Sequence, residues 1–379
     1  MKKEKFNILR IGDIVHTVSE THKFDKDFLI AINTSDVYNG VMGKGALTPV
    51  ANLKGQFKKT IKTGDLLFSE IRPANRRFAK VTATECQDFV VSTKLMVLRK
   101  FNDQVDSDYF YYCLTNQPFL DTLQRRAENR IGSFPQITFD LLSGYAFPIP
   151  PLEEQKRISK VIASIDRKIE LNKQINDNLE AMISCITDKM IFSNMNHIPM
   201  CSIGEIATIK AGGDCPKEYS VIPTHKYNVP IYSNGTSNEG LYGYTDKYQI
   251  TGRSITIAAR GTIGYCVRRY SNYVPIIRLI SIKPYDLGGD TYLHQIISRI
   301  SFKKNGSVQQ QLTVPEVSAM RIPYPNKKTL VEYDERTLPL ILEINKNKQV
   351  ISELIKQRDA LLPFLMNGQA TVNYHLSDD

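Results

Sequence analysis

No stretch of this 379-residue chain stays apolar for the roughly 18 residues that a membrane span requires. The opening Met1-Lys2-Lys3-Glu4-Lys5 is charged where a signal peptide would be apolar, so the expected location is the cytoplasm and no membrane partner is anticipated. The six cysteines (Cys86, Cys113, Cys185, Cys201, Cys215, Cys266) form no C-x-x-C pair. Nor do they combine with His16, His22, His197, His225, His294 or His375 at a spacing that holds zinc. They read as reduced structural thiols, with no metal site. An enzyme that methylates adenine or cytosine needs a glycine-rich cofactor loop and an Asn/Asp-Pro-Pro-aromatic or Pro-Cys motif, and neither occurs. Gly43-Lys44-Gly45 lacks the spacing and the Ser/Thr of a phosphate-cradling loop. The expectation is a chain with no cofactor and no catalytic centre of its own.

What is present begins with charge. The net charge is +10 and the pI near 9.1, which points to an anionic partner only if the excess is concentrated. Residues 1–152 carry 21 Lys/Arg against 16 Asp/Glu, and residues 194–326 carry 14 against 8. The segments 153–193 and 327–368 are near neutral. Two basic blocks thus alternate with two neutral ones.

The blocks are copies. Ile11-Gly12-Asp13-Ile14-Val15 is echoed by Ile203-Gly204-Glu205-Ile206-Ala207, and Gly132-Ser133-x-x-Gln136 by Gly306-Ser307-x-x-Gln310, 174 residues on. Ile149-Pro150 is matched to Ile322-Pro323, an offset of 173. After each proline cluster the composition turns charged with helical spacing. Expected are a mixed α/β domain over 1–150, a central helix over 151–195, a second similar α/β domain over 196–325, a C-terminal helix over 326–369, and a tail over 370–379.

The central helix carries a 3.5-residue seam: Ile158, Ile162, Ile165, Ile169, Asn172, Asn176, Leu179, Ile183, Ile186 and Met190. Prolines precede it, and Glu153 and Glu154 suit the positive end of its dipole. Ile341, Ile344, Ile351, Ile355, Leu362 and Leu365 follow a similar rhythm in the second helix, broken by Lys348 and Arg358. Matched stripes after matched domains favour an antiparallel coiled coil with a pseudo-twofold internal repeat. Asn172 and Asn345, 173 residues apart, are the expected register-setting positions.

Within the domains, β-rich runs such as Leu95-Met96-Val97-Leu98 and Ser254-Ile255-Thr256-Ile257-Ala258 alternate with turn signals at Asn39-Gly40 and Asn234-Gly235. One helix is expected from Ser107 to about Arg130. Cations and amides gather in loop-like settings: Arg72, Asn75, Arg76 and Arg77 around Pro73; Arg126 and Arg130; Ser133 and Gln136. The second block offers Arg260 and Thr262 in a glycine-rich turn, then Lys303, Lys304, Ser307, Gln309 and Gln310. A guanidinium fork matches the two acceptors of guanine, and an Asn or Gln amide matches adenine. Phosphate contact or a solvated surface is the plainer reading of any single cation. As a set they are expected to face double-stranded DNA.

Two variable domains, each closed by Gly-Ser-x-x-Gln and Ile-Pro and followed by a long helix, together with Ile149-Pro150-Pro151-Leu152-Glu153-Glu154-Gln155, resemble the specificity (S) subunit of type I restriction-modification systems. Phe68-Ser69-Glu70-Ile71-Arg72-Pro73 and Arg260-Gly261-Thr262-Ile263-Gly264 look like segments of that family's recognition domains. The second copy departs from the junction motif, reading Pro323-Tyr324-Pro325-Asn326-Lys327-Lys328. The resemblance implies that each target-recognition domain reads one half of a split DNA target and that the helices act as a ruler. Methyltransferase subunits, two of them, and restriction subunits would dock on the scaffold. S-adenosylmethionine, ATP and Mg²⁺ would belong to those partners. A helix of about 40 residues spans roughly 60 Å, and a heptad inserted in both adds about 10 Å, or roughly 3 bp of spacer. Two other readings compete. One is a basic coiled-coil scaffold or anti-restriction protein with incidental DNA binding, marked by sequence-indifferent, salt-dependent binding. The other is an endonuclease whose carboxylates are dispersed, marked by metal-dependent cleavage.

Overall fold

The computed structural model describes residues 6–53, 55–129, 136–302 and 311–366, without the side chains of 194–196. It divides into two compact units, Met1–Leu171 with Val350–Asp379, and Asn172–Gln349. Each unit therefore contains one α/β domain and part of both long helices, Leu152–Met190 and Lys327–Met366.

In the first unit an antiparallel sheet runs in the order Val15–Thr17, Leu95–Lys100, Leu66–Ser69, Phe78–Lys80. Leu66–Ser69 and Leu95–Leu98 are buried throughout, which is why they read as unbroken apolar runs rather than alternating ones. A second sheet orders Ala46–Pro49, Phe28–Ile32, Phe89–Ser92 and Phe57–Lys59, with Phe28–Ile32 parallel to Phe89–Ser92. Asn7–Arg10 pairs with Ala146–Ile149, tying the start of the domain to its end.

The second unit repeats the plan. One sheet runs Ala207–Ala211, Leu279–Pro284, Ser254–Ala258, Cys266–Arg269. Another runs Leu241–Thr245, Val229–Tyr232, Val274–Pro275, again with one parallel pair, and Met200–Ser202 pairs with Arg321–Pro323.

Packing details are duplicated too. A Cβ on Gly12 would lie 3.2 Å from the Cβ of Ser143, and one on Gly204 3.3 Å from that of Ser318, so the glycine of each Ile-Gly-x-Ile copy permits one close approach. Thr138 caps Phe139–Ser143 and Thr313 caps Val314–Ala319. The Tyr109 hydroxyl donates to the Pro148 carbonyl, and that of Tyr292 to the Pro323 carbonyl.

These equivalences correct the repeat. Thr138 and Thr313, Ser143 and Ser318, Pro148 and Pro323, and the helix starts Leu152 and Lys327 all stand 175 residues apart. Pro323 is thus the counterpart of Pro148, not Pro150; a run of closely spaced prolines can be matched in two ways, and the backbone pairing selects one. Asn347, not Asn345, is then the counterpart of Asn172. Asn347 is buried and donates to Asn176 Oδ1 at 3.1 Å, whereas Asn345 lines a small polar cavity beside Arg268 and His294.

The expected helix from Ser107 is two helices, Ser107–Thr115 and Gln117–Glu128. Asn116 breaks it: its backbone is extended, and its side chain accepts from Phe119 N as the cap of the second helix, with Pro118 in the first turn.

Within each unit the helix segments run antiparallel. In the first, Arg358 bonds Asp166, while Ile158, Ile162, Leu362 and Leu365 share the main core. In the second, Asn347 meets Asn176, Ile341 and Ile344 meet Ile183, and Tyr333 meets Thr187. Ile165, Leu179, Ile186, Ile351 and Ile355 are half-buried, and Ile169 is buried.

Gln155 shows what the junction motif does. It is fully buried; its amide donates to the carbonyls of Pro150 (2.8 Å) and Gln104 (2.9 Å), and its Oε1 accepts from Asp106 N (2.8 Å). In the second copy Leu330 takes this place, also fully buried, and Asn326 caps the helix through Thr329 N.

Candidate nucleic-acid interface

In the first unit the strands Leu66–Ser69 and Phe78–Lys80 are joined by a turn that carries the arginines. Pro73–Asn75 form a single 3-10 turn flanked by Arg72 (φ 47°) and Arg76 (φ 53°), both left-handed. That conformation costs an L-residue roughly 1 kcal/mol or more, so the surroundings must hold it. Gln124 accepts from Ala74 N, Gln117 and Asn39 accept from the Arg76 guanidinium, and Arg76 stacks over Phe78. Asn39 itself sits in the two-residue hairpin Asn39-Gly40, where both residues have positive φ, as the twist of the hairpin demands. Arg77 donates to the carbonyls of Ser35 and Val37 and lies over Tyr38.

The four candidates around Pro73 therefore divide. Arg76 and Arg77 are half-buried and fasten the turn; Arg72 and Asn75 are exposed, with no side-chain hydrogen bond among the described residues. Gln136 joins them from the far end of the domain, donating to Glu70 Oε2 at 2.8 Å, while Ile137 N donates to Glu70 O. Lys59 lies 4.0 Å from Glu70, and burial pulls its pKa below the usual lysine value. Arg126 is not brought to the turn: it is exposed, two residues past Gln124 and so on another face of the helix.

The second unit builds the corresponding turn without a 3-10 segment. Arg260 is half-buried, and Gly261 (φ 73°) and Gly264 (φ 87°) bend the chain; a Cβ on Gly264 would collide with the Phe302 ring. Thr262 is exposed. Asn234 Nδ2 donates to the Arg260 carbonyl at 3.0 Å, yet Asn234 Oδ1 and Arg260 Nε are buried without a partner among the described residues. Ala259 N donates to Arg278 O, Leu312 N to Ala259 O, and the Arg278 guanidinium reaches Gln311 at 3.4 Å. Gln311, rather than Gln310, is the backbone counterpart of Gln136.

Asn39, Gln117, Gln124, Asn234 and Arg278 were not singled out by the sequence as site residues. Asn39-Gly40 and Asn234-Gly235 registered only as turns, and nothing in the local sequence marks the others. Arg130, Ser133, Lys303, Lys304, Ser307, Gln309 and Gln310 lie outside the described residues. Among the described residues no group of three His, Cys, Asp or Glu side chains is placed to hold a metal, and no helix is long and apolar enough to cross a membrane.

A duplicated α/β domain, each copy presenting an arginine-and-amide turn at the end of a buried sheet and each continued by a long helix, defines a two-module recognition protein. The family described as type I restriction modification DNA specificity domain matches residues 3–181 and 198–361, and the chain belongs to that family. Over 177 residues it is 38% identical to the type I restriction enzyme HindI specificity subunit of Haemophilus influenzae, a match covering 46% of this chain and 38% of that one. A putative type I specificity subunit of Mycoplasma pneumoniae is 25% identical over 302 residues, covering 78% of this chain and 81% of the relative. The crystal structure of the type I restriction-modification system S subunit from M. genitalium shares the fold, with a TM-score of 0.57 at 15% identity over 97% of both chains.

Proposed function

We propose that this chain is the DNA-reading subunit of a type I restriction-modification complex, recognising a bipartite target with one half-site per domain. The observation that carries this reading is the paired turn: two equivalent places in a duplicated fold, each offering a guanidinium and an amide with donor or acceptor atoms left over. Arg72 and Asn75 read one half-site; Arg260 reads the other, with Asn234 supporting it and Thr262, Arg278 and Gln311 alongside. The remaining cations supply phosphate contacts that position the duplex without specifying bases. The chain performs no chemistry itself. Methyltransferase subunits, two per complex, and restriction subunits bring S-adenosylmethionine, ATP and Mg²⁺, and the work is done in the cytoplasm, where the DNA is. The length of the two helices sets the spacer between half-sites.

The test is to purify the chain with the methyltransferase subunit from its own genome and map methylated positions in DNA from cells carrying the pair. A split motif with a fixed gap is the expected result; an active complex whose methylation lacks two half-sites sinks the reading. Arg72→Ala is then expected to relax discrimination at one half-site by about 1–3 kcal/mol, roughly ten- to a hundredfold, and Arg260→Ala at the other. Equal weakening on all sequences with a shallower salt dependence would reassign that arginine to phosphate.

A further inference from the structure

The two units pack their helices in matching layers of opposite chemistry. With the 175-residue offset, Asp166 and Arg358 of the first unit are the counterparts of Ile341 and Ile183 of the second. Asp166 accepts from Arg358 at 2.9 Å and from the Tyr112 hydroxyl at 3.0 Å, and the Arg358 side chain is only 14% exposed. In the matching layer Ile183 and Ile341 are buried against each other in an apolar cluster. One layer further along, the chemistry inverts. Tyr333 and Thr187, both fully buried, share a hydrogen bond of 2.8 Å in the second unit, and their counterparts Ile158 and Leu362 are buried in the apolar core of the first.

Now pair each helix with its own kind in the same register. Two first-half helices set Asp166 against Ile183 and Thr187 against Ile158, twice per dimer. Two second-half helices set Arg358 against Ile341 and Tyr333 against Leu362, again twice. Both arrangements strip a buried charge of its opposite and face a buried hydroxyl with a methyl, whereas the first-half to second-half pairing matches every layer. A buried charge without its partner is strongly penalised even where the intact pair contributes little net stability.

We propose that these inverted layers make the helix seam selective: the partner it accepts is the complementary half of this chain or of a second copy, and it rejects an identical half. This selection holds whether or not the domains read DNA.

The experiment uses the full chain with a protease site inserted in the turn Phe192–His197, folded and then cut so that the two pieces remain assembled. Cut preparations carrying distinguishable mass labels are mixed in mild denaturant, returned to buffer and counted by native mass spectrometry. Wild-type pieces are expected to re-form first-half to second-half complexes in at least roughly tenfold excess over identical-half dimers. Asp166→Ile combined with Arg358→Ile should lower that excess by on the order of tenfold. The reversed pair, Asp166→Arg with Arg358→Asp, should preserve it, because each identical-half dimer still opposes a charge to isoleucine; this variant separates pairing from folding. A statistical mixture from the wild type, or an undiminished excess in the double isoleucine variant, overturns the proposal.

Discussion

The two units hold their helices to their domains by different means. In the first, the attachment is amide and hydroxyl chemistry over apolar packing: Gln155 bonds three backbone groups, Ser159 donates to Asp106, Tyr112 donates to Asp166, and Leu362, Leu365 and Met366 enter the main core. In the second it is ionic. Arg253 bonds Asp290 and Asp334, Arg268 pairs with Glu180, Arg299 with Asp188, and Lys348 with Glu239. Arg269 is buried as well, its guanidinium 3.6 Å from the centre of the Tyr232 ring. The lesson concerns charge. The second block has the larger cationic excess, but Arg253, Arg268, Arg269 and Arg299 are committed inside the unit, so the local net charge overstates the surface available to a polyanion.

The sharpest way to break this contrast is Arg253→Ala. The Asp290 and Asp334 side chains are 3% and 5% exposed, and the substitution leaves both without their cation. The expected loss is about 3–5 kcal/mol. It should fall on the second unit alone: calorimetry should show one transition move down steeply while the other stays. Equal movement of both would mean that the units unfold as one and that the ionic attachment is not local.

A smaller effect is expected from Gln155→Leu, which gives the first unit the residue the second uses at the same place. Asp106 N and the carbonyls of Gln104 and Pro150 would lose their partners in a fully buried position, for about 2–3 kcal/mol. Hydrogen exchange at the Asp106 amide is the direct readout. An unprotected amide with unchanged stability would show water substituting for the side chain.

Gln155 also marks the boundary of what the sequence could show. Duplication, domain-plus-helix order and the central seam were legible because they rest on periodicity and on repeated motifs tens of residues long. The junction glutamine was visible as part of a motif, but its three partners lie up to 51 residues away, and its replacement by Leu330 looked like decay rather than an apolar alternative. Asn172 was matched to Asn345 because closely spaced prolines align in two ways, and only the strand pairing of Ala146–Ile149 and Arg321–Pro323 distinguishes them. At the candidate interface, composition located the arginines around Pro73 but could not separate those that hold the turn from those that face outward. That distinction depends on Asn39, Gln117 and Gln124, which meet Arg76 and Ala74 only in the fold.

The smallest effect sharpens the contrast through pH. His294 lies in the second unit beside Arg268, and burial, reinforced by that guanidinium, pulls its pKa down to about 3. The histidines described in the first unit, His16 and His22, are not buried. In the unfolded chain His294 titrates near 6.5. Above that pH neither state binds the proton and His294 makes stability independent of pH. As pH falls below 6.5 the unfolded state takes up a proton that the folded state refuses, so stability drops by up to 1.4 kcal/mol per pH unit and levels off below about 3. Between pH 7 and 5 the second unit should therefore lose about 2 kcal/mol that the first does not. Urea titrations at the two pH values, followed through the methyl resonances of Ile257 and Ile282 in one unit and Ile11 and Ile137 in the other, resolve the two contributions. His294→Gln should flatten the response of the second unit alone. If the wild-type second unit proves no more acid-sensitive than the first, the buried neutral histidine is not what distinguishes them, and the carboxylates around Arg253 become the groups to titrate.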